Sequence, residues 1–121
     1  MARILIVDDS RTSRRMLTNI LEKYGHEVVG EARNGEEGVA KYRELKPDIV
    51  TLDITMPVMD GLGALDVIVD EDPEANVIMV TAAGQKEKMV EAIKRGALEF
   101  MQKPFDPEQI GSVIESILEK D

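Results

Sequence analysis

Residues 4–9 read Ile4-Leu5-Ile6-Val7-Asp8-Asp9. Four aliphatic side chains stand together without a polar break, and two acids end the run. A half-wet strand alternates apolar with polar residues. A short continuous run fits a strand covered on both faces, the condition of a parallel sheet. The pattern recurs at Ile49-Val50-Thr51-Leu52, closed by Asp53, and at Val77-Ile78-Met79-Val80, closed by Thr81. Two further strands are read at Glu27-Val28-Val29-Gly30-Glu31-Ala32 and, with a weaker pattern, at Glu99-Phe100-Met101-Gln102.

Helical periodicity fills the gaps. Met16, Leu17, Ile20 and Leu21 form one apolar stripe, and Gly25 stops that helix. Asn34 is placed to cap a second helix carrying Val39, Ala40 and Tyr42. A third helix is read around Leu65 to Val69, ending near Pro73, and a fourth from about Lys86 to Arg95, carrying Met89, Val90 and Ile93 and stopped by Gly96. Asp106 as cap, Pro107 at the first position and Gln109 at the third open the last helix. Ile110, Val113, Ile114, Ile117 and Leu118 then share one face. Gly38, Gly63 and Gly111 lie inside helices, each at a cost of up to about 1 kcal/mol against alanine. Close helix–sheet packing is the expected reason. Strict strand–helix alternation predicts an α/β fold, a doubly wound (βα)5 domain with a parallel sheet, helices on both faces and right-handed crossovers.

The 121 residues suit one domain spanning 1–121, with no linker, repeat or low-complexity segment. Apolar residues make up 43% and charged residues 32%, a real core with an ordinary wet surface. A net charge of −9 argues against nucleic acid, which needs a cationic footprint, and against an anionic membrane surface. The absence of cysteine excludes disulfides, thiol chemistry and Cys-based zinc sites, and fits a reducing cytoplasm. The apolar run before Asp8 is too short for a signal-peptide core, and no stretch approaches a membrane span. A cytoplasmic protein is expected.

In a doubly wound sheet, ligands bind beyond the carboxyl ends of the strands. Those ends carry Asp8 and Asp9, Asp53, Thr81, and the Lys103-Pro104 pair. Singly, each has a plain reading: caps or turns for the acids, an N-cap for Thr81, a solvated surface lysine for Lys103. Jointly they place three carboxylates, a hydroxyl and an ammonium on one rim. Clustered carboxylates repel unless a cation joins them, and oxygen-only donors favour magnesium, manganese or calcium over zinc. A carboxylate beside such a metal can attack phosphorus to form an acyl phosphate, with metal and lysine neutralising the transferred charge. His26, the single histidine, follows Gly25 at a turn into a strand and is read as structural. The seven methionines are read mainly as core filler, and Tyr24 and Tyr42 as amphipathic helix-end residues.

With these residues in place, the chain resembles the response-regulator receiver domains over its whole length. The resemblance is carried by Ile4 to Ser10, Pro47 to Asp53, Met56-Pro57-Val58-Met59-Asp60-Gly61, Val80 to Ala83, and Phe100 to Phe105. It implies a flavodoxin-like, CheY-like sheet of order 2-1-3-4-5. It implies that Asp53 accepts phosphate from a sensor histidine kinase. Asp9, Asp53 and the backbone carbonyl of Thr55 would ligate Mg2+, with Mn2+ as a substitute, and Asp8 would support the metal largely through water. Lys103 would contact the phosphoryl group, Thr81 would swing its hydroxyl toward it, and Phe100 would move inward behind Thr81. The Lys103–Pro104 bond is usually cis in the family. Ala82 is small and leaves the phosphoryl site accessible. Phe100 stands where chemotaxis receivers often have tyrosine. Thr55 and Ala83 occupy positions that tune dephosphorylation, and neither offers a carboxamide or an acid.

The resemblance makes the chain a two-component switch whose output is binding rather than turnover of a metabolite. The bistable surface is expected on the fourth helix, fifth strand and fifth helix. A chemotaxis regulator acting on a downstream effector, such as the flagellar switch, is the leading expectation, with a phosphatase as a further partner. Another stand-alone phosphorelay receiver, or a domain from a larger regulator, is the alternative. An aspartyl-nucleophile Mg2+ phosphatase would carry Asp-x-Asp after the first strand and a cap for its substrate, whereas this chain has adjacent acids. A flavin carrier would need a Ser/Thr/Gly-rich phosphate loop where Asp8-Asp9-Ser10-Arg11 stands. A scaffold without phosphorylation is disfavoured because every matched site position is filled.

Overall fold

The computed structural model describes residues 1–119, so the domain end expected at Asp121 lies outside the described residues. Strands β1 (Arg3–Val7), β2 (Glu27–Ala32), β3 (Ile49–Asp53), β4 (Val77–Thr81) and β5 (Glu99–Gln102) alternate with helices α1 (Arg11–Lys23), α2 (Gly35–Leu45), α3 (Gly61–Glu71), α4 (Lys86–Lys94) and α5 (Pro107–Leu118). The sheet order is β2-β1-β3-β4-β5, and every pairing is parallel. All five residues of β3 and of β4 are buried, as their nearly continuous apolar runs demand.

The two-residue period of a strand divides these side chains between two cores. Leu5, Val7, Val50, Leu52, Val77 and Met79 pack against α2, α3 and α4 through Val39, Leu65, Ile68 and Ala92. Ile4, Ile6, Ile49, Ile78, Val80 and Met101 pack against α1 and α5 through Leu17, Leu21, Ile110, Ile114 and Ile117. The strand-end residues therefore emerge together at one edge of a layer fixed from both sides. No helix among the described residues is long and apolar enough to cross a membrane.

Several local readings need correction. Helix α3 begins at Gly61, well before Leu65, because the Asp60 side chain caps it by accepting from the Gly63 N–H at 2.8 Å. Met16 and Ala40 face solvent, and on α4 both Val90 and Ile93 are 42% exposed. Only Ala92 of α4 is buried. Met1 and Met16 are surface residues, while Met56, Met79 and Met101 are core. Of Gly38, Gly63 and Gly111, only Gly38 fits helix–sheet packing, since a Cβ there would lie 2.8 Å from a Val7 methyl. Gly111 instead makes room for the Tyr24 ring at the end of α1, and Gly63 for Met59. Tyr42 donates its hydroxyl to Asp72 at 2.8 Å, which joins α2 to the end of α3. His26 has a structural partner: its Nδ1 accepts from the Ala2 N–H at 3.1 Å.

Candidate functional site

Asp8 follows β1, Asp53 ends β3 and Thr81 ends β4, so the sheet carries all three to one rim. Asp8, Asp53 and Thr81 are 3%, 7% and 4% exposed, while Asp9 is open to solvent. Carboxylate oxygens of Asp8, Asp9 and Asp53 lie within 4.8 Å of one another. Lys103 enters from the loop after β5. Its Nζ lies 2.9 Å from Asp8 Oδ2 and donates to Asp53 Oδ2 at 3.2 Å. Its backbone N–H donates to the Thr81 carbonyl at 2.8 Å, which extends the β4–β5 pairing and fixes where the side chain starts. The Lys103–Pro104 bond is cis.

Electrostatics at the rim is unbalanced. Burial first, and then the Asp8 charge, push the Asp53 carboxyl up to about 6, against the pull of Lys103. Burial works to lower the Lys103 ammonium, but its hydrogen bonds and charges shared with Asp8 and Asp53 outweigh that and raise it. One ammonium faces three clustered acids. An oxygen-only donor set with this excess of negative charge suits a hard divalent cation, which would sit among Asp8, Asp9 and Asp53.

The surrounding shell was not legible in the sequence. Ser10 caps α1 with its Oγ, which accepts from the Ser13 N–H at 3.2 Å, while its own N–H donates to Asp8 Oδ1 at 2.8 Å. An Asp-Asp-Ser run before a helix could have signalled this turn. Arg14 donates from Nη1 to the Asp8 carbonyl at 2.8 Å and from Nε to Glu31 Oε1 at 2.9 Å, bracing the acid loop against β2. Helical spacing alone does not point it there. Thr55 donates its N–H to Asp53 Oδ1 at 3.4 Å. Gln85, at the start of α4, reaches both Thr55 and Ala82. Gly61 lies directly under β3, and a Cβ on it would collide with the Asp53 carbonyl oxygen.

Thr81 and Phe100 line one cavity of about 260 Å³, together with Ala82, Gly84, Gln85, Lys86, Met89 and Gln102. The Thr81 hydroxyl is only loosely held, 3.4 Å from the Met101 carbonyl. Phe100, half-buried on β5, is the register partner of Met79 on β4. Thr81 and Phe100 thus border the same empty space.

The sequence of residues 4–115 matches the family model for the response regulator receiver domain. The chain is 53% identical over 115 residues to the chemotaxis protein CheY of Listeria monocytogenes, covering 95% of this chain and 97% of that one. It is 50% identical over 115 residues to the chemotaxis protein CheY of Thermotoga maritima, covering 95% and 96%. Among solved structures, a chain of the CheX–CheY–BeF3–Mg2+ complex from Borrelia burgdorferi superposes with a TM-score of 0.92 at 39% identity, covering 98% of this chain and 90% of that one. The rim of acids around Asp53, the lysine after β5 and the sheet order all accord with that likeness, and the chain belongs to the response regulator receiver domain family.

Proposed function

We propose that this receiver domain, acting as one unit over residues 1–121, is a phosphorylation-activated switch in which Asp53 takes a phosphoryl group from a phosphohistidine of a sensor histidine kinase. The observation that carries the reading is the convergence of Asp8, Asp9, Asp53 and Lys103, with carboxylate oxygens inside 4.8 Å and the ammonium between Asp8 and Asp53. An Asp53 oxygen forms the new bond to phosphorus as the bond from phosphorus to the histidine nitrogen breaks. The attacking form is the anion, and a carboxyl held near 6 is largely ionised at neutral pH. Lys103 restrains the carboxylate beforehand and then turns its charge to the incoming oxygens. Asp9, Asp53 and the Thr55 carbonyl, with Asp8 in support, would hold Mg2+, or Mn2+ as a substitute, which would supply charge neutralisation at the transferred group.

Phosphorylation adds negative charge beside Thr81. The Thr81 hydroxyl leaves its weak bond to Met101 for the phosphoryl oxygens, and Phe100 moves into the space vacated behind it. The face of α4, β5 and α5 then changes, with the exposed Val90 and Ile93 within it. Output is partner binding. The names of the similar proteins support a chemotaxis pathway, and the complex of CheX with CheY supports a protein partner at this fold; an effector such as the flagellar switch and a phosphatase are the partners this reading assigns. The setting is cytoplasmic, supported by the absence of cysteine.

Hydrogen exchange with and without beryllofluoride and Mg2+ tests the switch. Beryllofluoride on a carboxylate stands in for the phosphoryl group. Altered protection in α4 and β5 is the expected result. Binding at Asp53 without any change there would refute the switch.

A further inference from the structure

Gln85 occupies the N-cap position of α4, yet its side chain makes no cap hydrogen bond to its own helix. A residue there ordinarily offers side-chain oxygen to the first free N–H groups. The Gln85 carboxamide turns back across the rim instead. Its Oε1 accepts from the Ala82 N–H at 2.6 Å, and its Nε2 donates to Thr55 Oγ1 at 2.6 Å. One side chain closes the β4–α4 loop on itself and ties that loop to the one after β3. Both anchors flank the site. Thr55 contacts Asp53 through its N–H. Asp53 is the register partner of Val80, so Thr81 and Ala82 are the next two residues of the neighbouring chain past the level of Asp53.

Beyond this bridge, the start of α4 is held by Met89, which is only partly buried against the core. The helix has nine residues, and Ala92 alone is fully buried. A helix that short depends on its tertiary anchors.

We propose that Gln85 is a latch for the resting state: its carboxamide occupies the Ala82 N–H and the Thr55 hydroxyl until a phosphoryl group on Asp53 claims that N–H. The inference rests on Asp53 as acceptor. An anionic phosphoryl oxygen accepts more strongly than an amide oxygen, so the exchange runs toward release once phosphate is present. Release frees α4 from the β3–α3 loop. The latch thereby opposes activation, and its removal raises the population ready to take the group.

Calorimetric titration with beryllofluoride in saturating Mg2+ tests this on the wild type, Gln85→Ala, Thr55→Val, the double variant and Asp53→Asn. Gln85→Ala should bind about three- to tenfold tighter, the scale of one or two competing hydrogen bonds. Thr55→Val should tighten binding less, and the double variant should match Gln85→Ala, because both substitutions break one bridge. In the ligand-free protein the Ala82 amide should exchange faster in Gln85→Ala than in the wild type. Equal or weaker affinity in Gln85→Ala, additive effects in the double variant, or unchanged Ala82 exchange would overturn the latch while leaving Asp53 as acceptor. No binding to the wild type, or equal binding to Asp53→Asn, would instead remove the acceptor reading and the latch with it.

Discussion

At Asp53 two demands conflict: burial at a strand end favours the neutral acid, and the attack on phosphorus proposed for it needs the anion. The native carboxyl is held near 6 against an ordinary 3.8. Its contribution to stability is therefore full below about pH 4 and is lost as the pH rises through about 6. His26 acts in the opposite sense. Burial, and then the nearby N-terminal charge, lower its pKa, so its protonation costs the native state stability as the pH falls below its ordinary 6.5. The two are separated by comparing Asp53→Asn with the wild type in metal-free buffer. The variant should match the wild type near pH 4 and become progressively more stable than it toward neutrality, as read by thermal unfolding. A difference independent of pH would contradict the assignment. Two other residues invite substitution. Thr51 is fully buried in β3, and no protein group answers its hydroxyl. Thr51→Val should raise stability in urea by about 1 kcal/mol. Val58, 77% exposed, holds φ at 68°, a region that penalises β-branched side chains. Val58→Asn should also gain about 1 kcal/mol, the lower end of the left-handed penalty.

Among the elements, α3 sets the closest tolerance at the site. Asp60 caps the helix, and Gly61 lets its first turn press on the strand end that carries Asp53. Gly61→Ala should destabilise the domain by about 2 kcal/mol, the usual scale of overpacking, and slow phosphorylation by displacing Asp53. A variant with wild-type urea midpoint and rate would show that the contact relaxes freely. The same element marks how far the sequence could be read. β1, β3 and β4 were legible because burial on both faces leaves a nearly continuous run of aliphatic and β-branched residues. The start of α3 was not, because Gly61 and Gly63 are poor helix formers and the cap decides the boundary. On α4, Val90 and Ile93 have the composition of a core face but lie on an exposed one, since the sheet takes up Ala92 fully and Met89 in part. Asp8, Asp9, Asp53, Thr81 and Lys103 were legible because strand ends converge in any sheet of this kind. Arg14 and Gln85 act through loops whose approach only the folded chain defines.

On the scale of the whole molecule, the two cores fix the sheet so that an unbalanced set of charges can be held at its edge without collapse. That imbalance is what a bound divalent cation relieves, and a ligand that binds only the native state stabilises it by mass action. Mg2+ should raise the melting temperature of the wild type and raise that of Asp9→Asn less, as scanned with and without chelator. Intact-mass spectrometry asks whether Asp53 accepts a phosphoryl group with the help of a cation. The wild type and Asp53→Asn are incubated with a small-molecule phosphodonor, with Mg2+ or with chelator, and beryllofluoride binding is titrated in parallel to cover a short-lived adduct. One phosphoryl group gained by the wild type with Mg2+, or tight beryllofluoride binding there, with both lost in Asp53→Asn and in chelator, is the predicted result. Phosphate retained in Asp53→Asn, or neither adduct in the wild type, would contradict the account.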